Sequence, residues 1–174
     1  MIIFILLAKI FTIIPLQENI AISLVDFPEW EINMDNGIVL IKKVLQSAKS
    51  FEYPSIARIY SIAKEYQIDF NGYSLYRAEH DDEVVGKFFD MGDKGFYFQI
   101  FATENGQIIK SNEKCLSKGK WNDNLKGYHV IAEDCNNNTW EHWEIKRVPL
   151  IVKDNDEKNA AIFVYERDFR FMPN

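Results

Sequence analysis

Two cysteines and three histidines are all that 174 residues offer of the side chains that most often ligate metals or supply a nucleophile and its base. The histidines, His80, His129 and His142, sit in no recognised catalytic pattern. The sequence therefore points to no catalytic residue, no metal and no cofactor. His80-Asp81-Asp82-Glu83 is acidic enough to attract a cation, but four adjacent polar residues on a turn cannot converge on one centre. Asp154-Asn155-Asp156-Glu157 opens like a calcium loop and lacks the rest of that loop's spacing, so both read as solvated turns. Basic clusters are also scarce. Lys42-Lys43 and Lys118-Gly119-Lys120 are short, and the formal net charge is −6. Bulk electrostatics thus argues against nucleic acid or an anionic membrane as partner. No low-complexity tract interrupts the chain.

A long apolar run is missing as well. The N-terminus is apolar from Met1 to Leu16 apart from Lys9 and polar Thr12, with Pro15 near its end, which falls short of the ~20 residues a membrane span needs. The run suits a secretory signal, and Ala21-Ile22-Ser23 supplies a small-x-small cleavage site. The expected organisation is a signal over 1–23 and one domain over 24–174, secreted, with no membrane span after cleavage. An uncleaved anchor and a buried strand are the other readings of the run. An even cysteine count in a secreted chain favours a disulfide, so the two signals agree.

Turn residues recur at short intervals, as at Asn36-Gly37, Asn71-Gly72, Asn105-Gly106 and Asn122-Asp123-Asn124. Between them lie short β-branched and aromatic runs at 37–41, 73–76, 96–101, 128–131 and 161–165. This spacing predicts an all-β barrel or sandwich. One segment competes: Ile56, Ile59, Tyr60, Ala63 and Tyr66 share one helical face after Pro54-Ser55, so a helix over 55–66 is an alternative. Residues 42–50 are good helix formers too.

The most informative stretch is 98–145, which holds both cysteines, three of the four tryptophans and the Asn137-Asn138-Thr139 glycosylation sequon. Cys115 and Cys135, twenty positions apart and flanked by short apolar runs, suggest a β-hairpin closed by a disulfide. Trp143 and Trp140, three apart, would face opposite sides of a strand, with Trp143 in the core and Trp140 outward. Carbohydrate sites pair an aromatic face with amide or acid acceptors, and Trp121-Asn122-Asp123-Asn124 followed by Tyr128 gathers those groups.

Cys115-Leu116, Val130, Cys135 and Glu141-His142-Trp143 together resemble one repeat of the ricin-type β-trefoil lectins, in which a disulfide-bonded Cys-Leu strand is followed by a Gln-x-Trp motif. Glu141 stands here for Gln. The resemblance implies a β-trefoil of three such repeats and non-covalent recognition of glycans or glycoproteins. Where sugar-binding repeats carry an Asp, an aromatic residue and an Asn, this chain has Ser117, Glu133 and Trp140. The candidate carbohydrate-binding residues are then Trp121, Asn122, Asp123, Asn124, Tyr128 and Trp140. Gly119-Lys120-Trp121 also matches the short Gly-x-Trp signature of lipocalins, so another small secreted barrel, carrying an apolar ligand, is the alternative. A trefoil whose sugar sites have decayed and which binds a partner protein is the third.

Overall fold

The computed structural model describes residues 17–44 and 55–148. The expected turn at 154–157, the strand at 161–165 and residues 1–16 of the apolar run lie outside them. The described chain is a series of strands: β1 (Gln17–Leu24), β2 (Trp30–Asp35), β3 (Ile38–Lys43), β4 (Ile56–Ile62), β5 (Glu65–Phe70), β6 (Tyr73–Tyr76), β7 (Val85–Lys87), β8 (Gln99–Thr103), β9 (Gly106–Ser111), β10 (Lys114–Asn122), β11 (Gly127–Asp134) and β12 (Trp143–Arg147). Short 3-10 turns, Lys94–Phe96 and Thr139–Glu141, precede β8 and β12.

The pairing has a threefold pattern. The first and last strands of each successive group of four close a barrel through β1–β4, β4–β5, β8–β9, β9–β12 and β12–β1, with the Tyr66↔Phe98 bridge joining β5 to β8. The middle strands form the hairpins β2–β3, β6–β7 and β10–β11. Ladders between β3 and β7 and between β11 and β3, with the Glu83↔Ile131 bridge, join the hairpins into a cap. Where one group meets the next, isoleucine faces isoleucine each time: Ile59↔Ile68, Ile100↔Ile109 and Ile145↔Ile22. Within each group the register pairs Ile20↔Ala57, Tyr66↔Phe98 and Gln107↔Trp143, so Ala57, Phe98 and Trp143 occupy equivalent places and all are buried.

Alternation explains why these residues form strands. On β1, Ile20, Ile22 and Leu24 point into the core, and on β5 Ile68 and Phe70 do the same, as period two demands. Asn36-Gly37 turns β2 into β3 and Asn71-Gly72 turns β5 into β6, with positive φ at both residues of each pair, the geometry two-residue hairpins favour.

The helix alternative for 55–66 is overturned. Residues 56–62 are β4, and Ala57 and Ile59 are buried while Arg58 is exposed. Ala63, at φ 58°, makes the turn into β5. Helical periodicity lost to pairing because β4 has a ladder on each side, to β1 and to β5. Of the helix formers at 42–50, Lys42 and Lys43 end β3, and 45–50 lie outside the described residues. An up-and-down barrel around an apolar ligand is also not the fold, since the barrel interior is filled by side chains such as Ile22, Ile68, Phe98, Ile109 and Trp143.

The domain boundary expected after Ser23 falls inside β1. The folded unit includes Gln17–Leu24, which pairs with β4 on one side and β12 on the other. The small residues read as a cleavage site, Ala21 and Ser23, are ladder residues opposite Ile56 and Glu144.

Candidate functional site

The Cys115–Cys135 disulfide ties β10 to the segment after β11, with the Cα atoms 5.1 Å apart. The following bend is organised by Glu141, a buried carboxylate that accepts from the backbone N–H of Asn136 and Asn137 and from Asn138 Nδ2. A carboxylate only accepts, which suits the three donors that the bend turns toward it. Trp143 is fully buried, and its indole N–H donates to the Leu116 carbonyl at 3.1 Å. Reduction of the disulfide, or Cys115→Ser with Cys135→Ser, is expected to lower unfolding stability by about 3 kcal/mol, because the bond restricts a loop of this length in the unfolded chain. Urea titration with and without reductant measures it.

Beside this bend the fold assembles a platform of rings from three places in the sequence. Trp121 lies 4.8 Å from Tyr128 between centroids, and Trp30 lies 5.5 Å from Tyr128 and 6.4 Å from Trp121. Tyr128 continues to Trp140 at 6.5 Å, and Trp140 stacks on Phe27 at 4.9 Å with an interplanar angle of 12°. The Lys118 ammonium sits 3.6 Å from the Trp140 ring centroid and 4.5 Å from that of Tyr128, where the ring quadrupoles attract it. Trp121 is 40% exposed and Phe27 37%, so the platform is open to solvent at both ends.

The expected residues divide by role. Trp121, Tyr128 and Trp140 come together. Asn122 does not present free groups: its Oδ1 accepts from the N–H of Asn124 and Leu125, and its Nδ2 is 3.1 Å from His129 Nε2. It shapes the turn. Asp123 accepts from the Trp121 indole through Oδ1 and, with Asn124, is exposed at the platform edge. His129 also approaches Glu83, with Nδ1 3.1 Å from Oε1. Ser117 is buried, and Glu133 accepts from Asn138, so neither opens a sugar pocket of the kind the family repeat carries. Asn137 is exposed and Thr139 begins the 3-10 turn. Sequence reasoning does not find Phe27, Trp30 or Lys118. Phe27-Pro28-Glu29-Trp30 has the aromatic content, but its contact with β10 and β11 arises only through the ladders β2–β3 and β3–β11. Among the described residues no cluster of acidic, histidine or cysteine side chains could hold a metal ion, and no helix is long and apolar enough to cross a membrane.

No family model and no curated protein matches the sequence. Solved structures do match. The ricin B-like lectin of Macrolepiota procera, determined in complex with lactose, superposes with a TM-score of 0.59 at 15% identity, over 75% of this chain and 96% of the lectin. The chain has a β-trefoil fold. The cytolethal distending toxin of Actinobacillus actinomycetemcomitans shares it, with a TM-score of 0.62 at 10% identity over 80% of this chain and 97% of that one. A mosquitocidal holotoxin matches with a TM-score of 0.62 at 15% identity over 76% of this chain, which spans only 17% of the holotoxin. The trefoil thus occurs in a lectin and in toxins, and the fold alone does not choose between them.

Proposed function

We propose that this trefoil is a secreted glycan-binding protein that acts by non-covalent recognition and catalyses no reaction. The observation that carries the reading is the ring platform of Phe27, Trp30, Trp121, Tyr128 and Trp140, with Lys118 against it and Asp123 and Asn124 at its edge. Aromatic faces take the apolar side of a pyranose ring, and the ammonium, carboxylate and amide exchange hydrogen bonds with its hydroxyls. Export would place Asn137 where a glycan could be attached, on the exposed bend beside Trp140. The net charge of −6 supports glycans or glycoproteins over nucleic acid as partners.

A glycan array probed with disulfide-intact protein beginning at Gln17 tests this. Selective binding that free sugar competes away is expected. Trp121→Ala and Trp140→Ala should each weaken it about tenfold, since one lost ring contact approaches 1.4 kcal/mol. A blank array from folded protein, or unchanged binding by both variants, would sink the reading. A protein-interaction module is the second reading, favoured by the loop after β7, where Phe88 is 74% exposed and Met91 79%.

A further inference from the structure

We propose that a second site, sharing no residue with the ring platform, binds a sugar carboxylate such as a uronic or sialic acid. It is a cleft of about 500 Å³ at the junction of β5, the Lys94–Phe96 turn, β8 and the β9–β10 turn, a volume suited to a small ligand. Its lining is polar. Lys94 and Lys110 line the cleft and form no ion pair among the described residues, the Lys110 ammonium lying 5.5 Å from the Phe101 ring centroid. Gln99 and Asn112 offer amides and Tyr97 a ring, while Glu65 and Glu113 supply acceptors for hydroxyls. Two lysines without a carboxylate partner, with acceptors and an aromatic ring alongside, match an acidic sugar better than a neutral one.

The cleft is built and held. Arg77, 2% exposed, donates from its backbone N–H to the Gly95 carbonyl at 3.0 Å and from its guanidinium to the Ser111 carbonyl at 3.2 Å. It therefore joins the turn that carries Lys94 to the strand end that carries Lys110 and Asn112. Its Nε has no partner, and it makes no ion pair among the described residues, so a buried positive charge stands behind the walls. Gly95 permits the approach, since a Cβ there would come within 2.5 Å of the Arg77 carbonyl. The β9–β10 turn adds a second observation. Asn112 and Glu113 have φ of 47° and 66°, whereas the corresponding β5–β6 turn has glycine, Gly72, in the second place. Glu113 holds a backbone that glycine would hold without strain, and it lines the cleft.

Calorimetric titration of the disulfide-intact chain with glucuronate, N-acetylneuraminate and glucose reads the cleft, independently of the array that reads the platform. Saturable binding of at least one acid, and none of glucose at the same concentrations, is expected. Lys94→Gln and Lys110→Gln should each weaken it about tenfold or more, and Lys126→Gln, a charge control in the β10–β11 turn, should not. Glu113→Gly should weaken binding while raising the melting temperature, which separates a ligand role from loss of fold. Absence of binding by both acids, equal binding of glucose, or wild-type affinity in both lysine variants would overturn the proposal.

Discussion

A chain that begins at Leu24 is expected not to fold, whereas one that begins at Gln17 should unfold cooperatively on heating. Starting at Leu24 removes all of β1 but its last residue, including Ile20 and Ile22, which are 2% and 0% exposed. Truncation of a buried isoleucine to alanine costs about 2–5 kcal/mol, so these two side chains alone approach the roughly 5–15 kcal/mol by which a domain is stable. The backbone loss adds to that. β4 and β12, both in the barrel wall, would lose the strand that fills the space between them and expose two unpaired edges. The ion pair between Arg147 and Glu18, with Nε and Nη2 2.9 and 2.6 Å from the carboxylate oxygens, goes as well. Far-ultraviolet circular dichroism and thermal melting of the two chains decide the matter. A cooperative transition in the chain starting at Leu24 would show that β1 is dispensable and that the barrel closes without it.

Trp143→Ala carries the second large effect. Trp143 is fully buried in the core where Ala57 and Phe98 hold the equivalent places. Removing a buried aromatic costs about 3–5 kcal/mol through lost contacts and the cavity left behind. Its indole N–H is also the partner of the Leu116 carbonyl, next to the disulfide, and an orphaned buried acceptor costs about 1–3 kcal/mol more. The variant is expected to lose most of its stability in chemical denaturation, with Trp143→Phe intermediate because it fills most of the volume and restores no hydrogen bond. Trp140→Ala, at the platform, should be far milder in the same assay. Equal losses at Trp140 and Trp143 would refute the division between a core ring and a surface ring.

Local chemistry makes parts of this protein legible in its sequence. Cys115 and Cys135 flank a hairpin that returns the chain to the same point over a separation of 20 positions, and Asn-Gly pairs favour the positive φ that two-residue turns require. The burial of Trp143 follows from the repeat it resembles. Residues 55–66 are harder, because Ile56, Ile59 and Ala63 satisfy a helical face as well as strand spacing allows, and only the two neighbouring strands remove the ambiguity. The same applies at the N-terminus. Ala21-Ile22-Ser23 has the small residues of a cleavage site and also the alternation of a strand, and a local reading cannot weigh a ladder to β12 more than a hundred positions away.

The sequence by itself determined the all-β class, the disulfide and one trefoil repeat, because each rests on residues close together along the chain. Only the tertiary structure decided that β1 belongs to the barrel, that Phe27 and Trp30 join Trp121, Tyr128 and Trp140, and that Arg77 ties Lys94 to Lys110 across a cleft. These contacts are set by barrel closure and cap pairing, and no short-range propensity encodes which distant strands will meet.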